Sequence, residues 1–378
     1  MPKTAEARDE TGASPNRAQS REDLTCEVVA EPGLEWDRLT AGFSDVCLEQ
    51  TAAFASSRFG STHQMGMLLH EAASTEPIAM ALAVVAMLPV IGLGLAYVKF
   101  GPLWRRRGSP VRPELLLWML EALKRELAHK RGLALRIMPP ADPGHEQEWA
   151  DALAAAKFVF HRAVPDGERY LVDLSLSEPE QLKSLGSKWR ANLAKAAIGE
   201  LEIREVSFAE GLPQFMALYR EMISRKHFND RHGVEDLPAI VEAAGSSLGM
   251  RLFFAFHRGN PVAGSIIVGV GERVFVPFSA SNDKALELRA AYALRWAIIE
   301  RLRGTEARWL DLGGAEGDQG LRHYKLGNVG KRGSVNKILG EFDFAPTMLA
   351  AGAAKAVTLG RELARSSQVK RLAAFLPI

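Results

Sequence analysis

The sequence predicts an α/β protein of the α+β kind: two similar lobes in tandem, each a mixed, mostly antiparallel sheet flanked by helices. Two observations carry this. Apolar segments of strand length and composition follow one another closely at 77–98 and again at 251–279. Each group is followed by a long helix and then by one more apolar strand, Leu133–Met138 in the first half and Trp309–Leu312 in the second. A helix between two strands implies a crossover, so each half gains one parallel pair.

Leu24–Val29 reads as the first strand, and Glu31–Ala53 as helical. Pro77–Val98 runs 22 residues without a charge, long enough to span a bilayer. Pro89 in its middle, with Gly92 and Gly94 behind it, marks a turn, so the segment is predicted as two buried strands, Pro77–Leu88 and Val90–Val98. Lys99–Pro113 is a basic Gly/Pro loop holding Arg105–Arg107. Glu114–Arg131 places Leu116, Met119, Leu120, Leu123 and Leu127 on one helical face, and Gly132 ends it. Asp151–Phe158 is a short helix, and the second half opens at Tyr170–Leu174.

Gln181–Ala197 and Phe208–Lys226 are predicted helices, followed by the loop His227–Gly233 and the helix Pro238–Ala244. Arg251–His257, Pro261–Val270 and Arg273–Ser279 are strands with hairpin spacing, and Leu286–Arg303 is the long helix after them. The resulting division is 1–22 disordered, 23–165 first lobe, 166–345 second lobe, and 346–378 a basic helical tail.

Composition sets limits on function. Hydrophobic residues are 47% and charged residues 24% of 378, as in a soluble globular protein. A net charge of +2 implies no strong polyanion partner for the chain as a whole. Cys26 and Cys47 make neither a disulfide framework nor a zinc cluster, and the polar N-terminus lacks a signal-peptide core, so a cytoplasmic protein is expected. His227 and His232 have no third close ligand, His323 is a lone histidine, and no G-x-S-x-G or Walker pattern occurs; no metal is expected.

The chemistry concentrates in Arg308–Phe344. A short strand runs into Gly313–Gly314, an acidic glycine-bearing loop follows, Tyr324–Lys325 is read as lying in a second glycine-rich loop, and Gly340–Asp343 closes the stretch. Glycines admit close backbone approach, and a lysine held between such loops is a fixed cation over developing negative charge. Asp311 either shapes the pocket with Gly313 and Gly314 or caps the turn. Arg225 and Lys226 end a helix, where they serve a phosphate or simply the helix terminus. Lys188, Arg190 and Lys195 form a basic helix face.

Taken in order, EPIAMALAVV, AYVKFGPLW, PELLLWMLEALKRELAHKRGLALRI, SKWRANLAKA, LYREMISRK, WLDLGG, YKLG and GEFD resemble the FemAB family of double-GNAT aminoacyl transferases and their acetyltransferase-like relatives, over about residues 60–345. The resemblance implies two GNAT-like lobes and an N-acyltransferase. An acyl or aminoacyl group would pass from acyl-CoA or aminoacyl-tRNA to an amine of a cell-envelope polysaccharide or peptidoglycan precursor. It implies Lys325 as the transition-state cation with Tyr324 beside it, and Arg225, Lys226, Arg190, Asp311, Gly313, Gly314 and Phe278 as substrate-binding positions. It implies no tightly bound cofactor, tRNA as one candidate partner, and the inner face of the membrane as a place of work, reached through the basic C-terminal helices. Phe278 lacks the hydroxyl common at its position, Asn328 replaces a usual aromatic, and Leu286–Tyr292 lacks the pyrophosphate-loop pattern of single-lobe acetyltransferases. The alternative reading is a non-catalytic GNAT-fold module that binds an exopolysaccharide or lipid-linked intermediate.

Overall fold

The computed structural model describes residues 24–365, apart from 60–62, 73, 89–90, 166, 227–233, 245–247, 270 and 316. In chain order the elements are β1 (Leu24–Val29), α1 (Leu34–Thr40), α2 (Ala52–Phe59), β2 (Gln64–Glu71), β3 (Pro77–Met87), β4 (Gly94–Lys99), α3 (Glu114–Leu123), β5 (Ala134–Met138), α4 (Glu146–Ala155) and β6 (Val159–Arg162). There follow β7 (Glu168–Asp173), α5 (Glu178–Ser184), α6 (Ser187–Ala196), β8 (Leu201–Val206), α7 (Phe208–Lys226), α8 (Leu237–Ala244), β9 (Arg251–His257), β10 (Asn260–Val268) and β11 (Arg273–Ser281). The chain closes with α9 (Asp283–Glu287), α10 (Ala290–Leu302), β12 (Trp309–Asp311), α11 (Gln319–Val329), β13 (Ser334–Lys337), β14 (Glu341–Phe344) and α12 (Met348–Arg365).

They form two seven-stranded sheets, ordered β1-β2-β3-β4-β5-β14-β6 and β13-β7-β12-β11-β10-β9-β8. The expected parallel pairs are β4 with β5 and β11 with β12. The uncharged segment 77–98 supplies β3 and β4, not a membrane helix, and among the described residues no helix is long and apolar enough to cross a membrane. Its lack of polar alternation has a packing cause: β3 is covered on both faces. Ala79, Ala81 and Ala83 face the core that includes Leu116 and Met119 of α3, while Met80 and Leu82 face Trp36 of α1 and Ala55 of α2.

Several expected elements are broken by specific contacts. The helix expected over Glu31–Ala53 is instead α1, a loop and the start of α2. The buried Asp37 carboxylate accepts from Ala52 N at 2.6 Å and Ala53 N at 3.1 Å, which caps α2 and fixes the break. The helix expected over Gln181–Ala197 divides into α5 and α6 at Gly186, whose N–H donates to Gly327 O at 2.8 Å. The Leu286–Arg303 helix divides at Arg289, which takes a left-handed φ of 57°. Asp151–Phe158 starts earlier, as α4. Strands β2, β6, β8 and β13 were not expected from the sequence; β6 and β13 are four-residue edge strands.

One strand crosses from the second lobe's stretch of chain into the first sheet. β6 lies in the first sheet and β7 in the second; β13 lies in the second and β14 in the first. Glu341–Phe344, grouped with the second lobe by sequence, therefore hydrogen-bonds between β5 and β6. An ion cluster seats it: Arg136 meets Asp343 at 2.7 Å, Arg162 meets Glu341 at 2.7 Å, and Tyr97 Oη donates to Glu341 at 2.9 Å. Phe100, Met138 and Cys47 from one lobe pack with Phe275 from the other.

Candidate active site in the second lobe

β11 and β12 share three residue pairs, Arg273–Trp309, Val274–Leu310 and Phe275–Asp311. Then they part. β11 continues to Ser281, but Leu312 N donates to Tyr170 O of β7 at 2.9 Å, and Gly313 turns the chain away with φ +75°. α10, whose Leu294 and Ile298 share a core with Val274 and Leu310, precedes β12, and α11 follows the turn. The result is an opening between diverging parallel strands, at their C-terminal ends, where open α/β sheets bind ligands.

Lys325 and Tyr324 lie on α11, so the glycine-rich loop expected here is a helix. Asp318 caps it, accepting from Leu321 N at 3.0 Å. Gly327 belongs to the helix because a Cβ there would stand 3.1 Å from Trp189. Lys325 Nζ donates to Gly314 O at 2.5 Å, which fixes its ammonium on the turn at the mouth of the opening. Tyr324 packs with Tyr292 and Trp189 at centroid separations of 5.1 and 6.1 Å, and its hydroxyl donates to Ala291 O at 3.1 Å. Burial pushes its pKa up, while the nearby Arg295 charge acts the other way.

Asp311 is fully buried. It accepts from Gly313 N at 2.8 Å and from Arg169 at 3.0 Å, so it builds the turn and ties β12 to β7. Arg169 also lies over the Phe100 and Phe275 rings. Burial works against the charge of Arg169, and Asp311 raises its pKa. Gly314 contributes its carbonyl to Lys325.

The remaining predicted residues are not drawn to one point. Arg225 donates to Asp283 at 2.8 Å and to Ser281 O at 2.8 Å, so it joins the end of α7 to the end of β11. Lys226 is exposed next to it. Arg190 donates to the Leu185 and Lys183 carbonyls at 2.6 and 3.3 Å, closing the C-terminus of α5. Phe278 is buried against Tyr219 of α7, on the core side of β11. His227 and His232 lie outside the described residues.

Sequence reasoning missed Arg169, Ser279 and Arg295. The signal for Arg295 was present: a charge on a helix whose buried positions include Leu294, Ile298 and Ile299. A cavity of about 500 Å³ lies at the opposite, N-terminal end of β11 and β12, lined by Asp45, Arg105, Arg107, Asp142, Arg273 and Trp309 among others.

Residues 183–326 match the acetyltransferase (GNAT) domain family. Among solved structures, FemX is similar with a TM-score of 0.68 at 14% identity, over 84% of this chain and 97% of that one. A conserved protein of unknown function from Bacteroides thetaiotaomicron gives 0.54 at 12% identity, over 84% and 99%. The C-terminal (DUF2156) domain of a proposed lysylphosphatidylglycerol synthetase from Agrobacterium fabrum gives 0.50 at 15%, over 86% and 96%. No curated protein matches the chain. The acetyltransferase (GNAT) match over residues 183–326 supports an N-acyltransferase. The GNAT match falls within the second lobe, and the two-lobed fold is similar to that of FemX.

Proposed function

We propose that the protein transfers an acyl or aminoacyl group from an activated ester or thioester to an amine of a cell-envelope polysaccharide or peptidoglycan precursor. The observation that carries the reading is the parting of β11 from β12 with the Lys325 ammonium fixed at its mouth. The donor carbonyl enters the opening and the acceptor amine attacks its carbon. The carbonyl oxygen becomes an oxyanion, and Lys325 stabilises it with a preorganised charge. Collapse of the adduct expels the thiolate or alkoxide, and the amine proton leaves to water or to that leaving group.

The GNAT match supports acyl-CoA as donor, with aminoacyl-tRNA as the alternative. FemX similarity supports an envelope acceptor. Arg225, held by Asp283 and Ser281, and Lys226 next to it are the cations proposed to meet acceptor phosphates. Tyr324 holds Lys325's helix against α10. The exposed Met348, Leu349 and Leu359 of α12 support peripheral contact with a membrane face.

Lys325→Ala should lower turnover by about 10²–10³-fold while leaving the melting temperature unchanged. The measurement is thiol release from acetyl-CoA, run in parallel with deacylation of charged tRNA. Full activity in the variant would sink the assignment.

A further inference from the structure

Four arginines among the described residues are buried: Arg105, Arg136, Arg273 and Arg295. The first three have carboxylates. Asp142 is 2.6 Å from Arg105 and 3.6 Å from Arg273, and Asp343 is 2.7 Å from Arg136. Arg295 has none among the described residues. Its Nη2 donates to Ser279 Oγ at 3.4 Å, and Nε and Nη1 are buried without a hydrogen-bond partner. A guanidinium does not shed its proton in a protein, so it cannot escape burial by becoming neutral. A buried charge persists when something pairs with it.

The position of Arg295 says what that partner is. It rises from α10, reaches Ser279 on the part of β11 that β12 has left, and lies beside the Tyr324 hydroxyl of α11. It therefore sits beside the opening, against Tyr324, which immediately precedes on α11 the lysine assigned to the oxyanion. A neutral acyl chain would leave its charge unmatched, and an α-ammonium would add a second cation beside it.

We propose that Arg295 is a specificity-determining residue that selects a donor whose acyl group carries its own carboxylate, a dicarboxylic monoacyl thioester. This rests on the transferase reading above. The guanidinium fork matches a carboxylate in two parallel bonds, and Ser279 of β11 and Ser265 of β10, whose hydroxyls are 3.0 Å apart, extend the polar surface beside it.

The test is calorimetric titration of the full chain with succinyl-CoA and acetyl-CoA, for the native protein and Arg295→Gln, with Arg295→Met as the second variant should the first fail to fold. The native protein is expected to bind succinyl-CoA about tenfold or more tightly than acetyl-CoA, as one charge-assisted pair implies. Either variant should erase the preference without lowering the melting temperature, because an unmatched buried charge is removed. A merely structural arginine would instead lower the melting temperature and leave the ratio intact. Equal native affinities, or a preference that survives both variants, would overturn the inference and leave the transferase reading standing. Failure of both thioesters to bind would overturn the inference, and Lys325-independent turnover would separately overturn the transferase reading.

Discussion

In the first lobe β4 and β5 stay paired over five residues, Leu95–Lys99 against Ala134–Met138, and Phe100 N adds a further bond to Met138 O at 2.7 Å. In the second lobe the equivalent strands β11 and β12 pair over three and separate. The first lobe is also sealed between β3 and β4. Gln50 inserts its amide there, accepting from Leu82 N at 2.8 Å and donating to Leu82 O at 3.2 Å and Lys99 O at 2.8 Å. One side chain thus replaces missing ladder bonds, and Leu103 pairs with Met80 beyond it. The same succession of elements yields a closed scaffold in one lobe and an open slot in the other. The difference lies in a few backbone bonds, and it leaves the parted strands in the second lobe.

The comparison can be broken at graded cost. The largest effect is the loss of turnover in Lys325→Ala, which acts on the open lobe alone. Next is Gln50→Ala in the closed lobe. It strips partners from three buried backbone groups, for a loss of about 2–4 kcal/mol in denaturant unfolding with donor affinity unchanged. A stable variant would show that the seal is ornamental.

Gly101→Ala follows, because a Cβ there would stand 2.3 Å from the Gln50 amide carbon. It should cost about 1–3 kcal/mol. The two changes together should cost less than their sum, since Gln50→Ala removes the clash; strict additivity would argue against the contact.

The smallest effect concerns Asp45. Burial pushes its carboxyl up to about 6 from 3.8, with the Arg105 charge and the Trp104 N–H pulling the other way. The folded state holds this proton more tightly than the unfolded chain does. Its contribution is complete below the unfolded value of 3.8 and is lost as pH rises through about 6. Asp45→Asn should flatten stability against pH across that window, measured by denaturant titration at stepped pH. An unaltered slope would assign the dependence to other groups.

The plan of the fold was legible because it rests on periodicity. Phe208–Lys226 and Arg251–His257 fall where the pattern puts them, and the uncharged run 77–98 reads as strands once Pro89 and its glycines are weighed. Short edge strands were not legible: Leu201–Val206 alternates with charges and depends on β9 for its conformation. The helix bearing Lys325 was hidden by Gly320, Gly327 and Gly330, which local propensity reads as loop. Asp318 at the cap and Trp189 against Gly327 override that propensity, and both are tertiary or terminal features outside any local window. Arg190 and Phe278 were assigned to substrate by resemblance, while their neighbours here are helix carbonyls and core rings.

The seat of β14 has a consequence for how the molecule is made. Arg136 and its partner Asp343 are 207 residues apart in the chain, with the whole second lobe between them. At about 5–20 residues per second, a ribosome delivers the missing strand roughly 10–40 s after β5 has emerged. During that interval the nascent first sheet has an open edge at β5 and an arginine awaiting its carboxylates. The last strand to be synthesised completes the first sheet to be started, so the polypeptide cannot mature one lobe at a time.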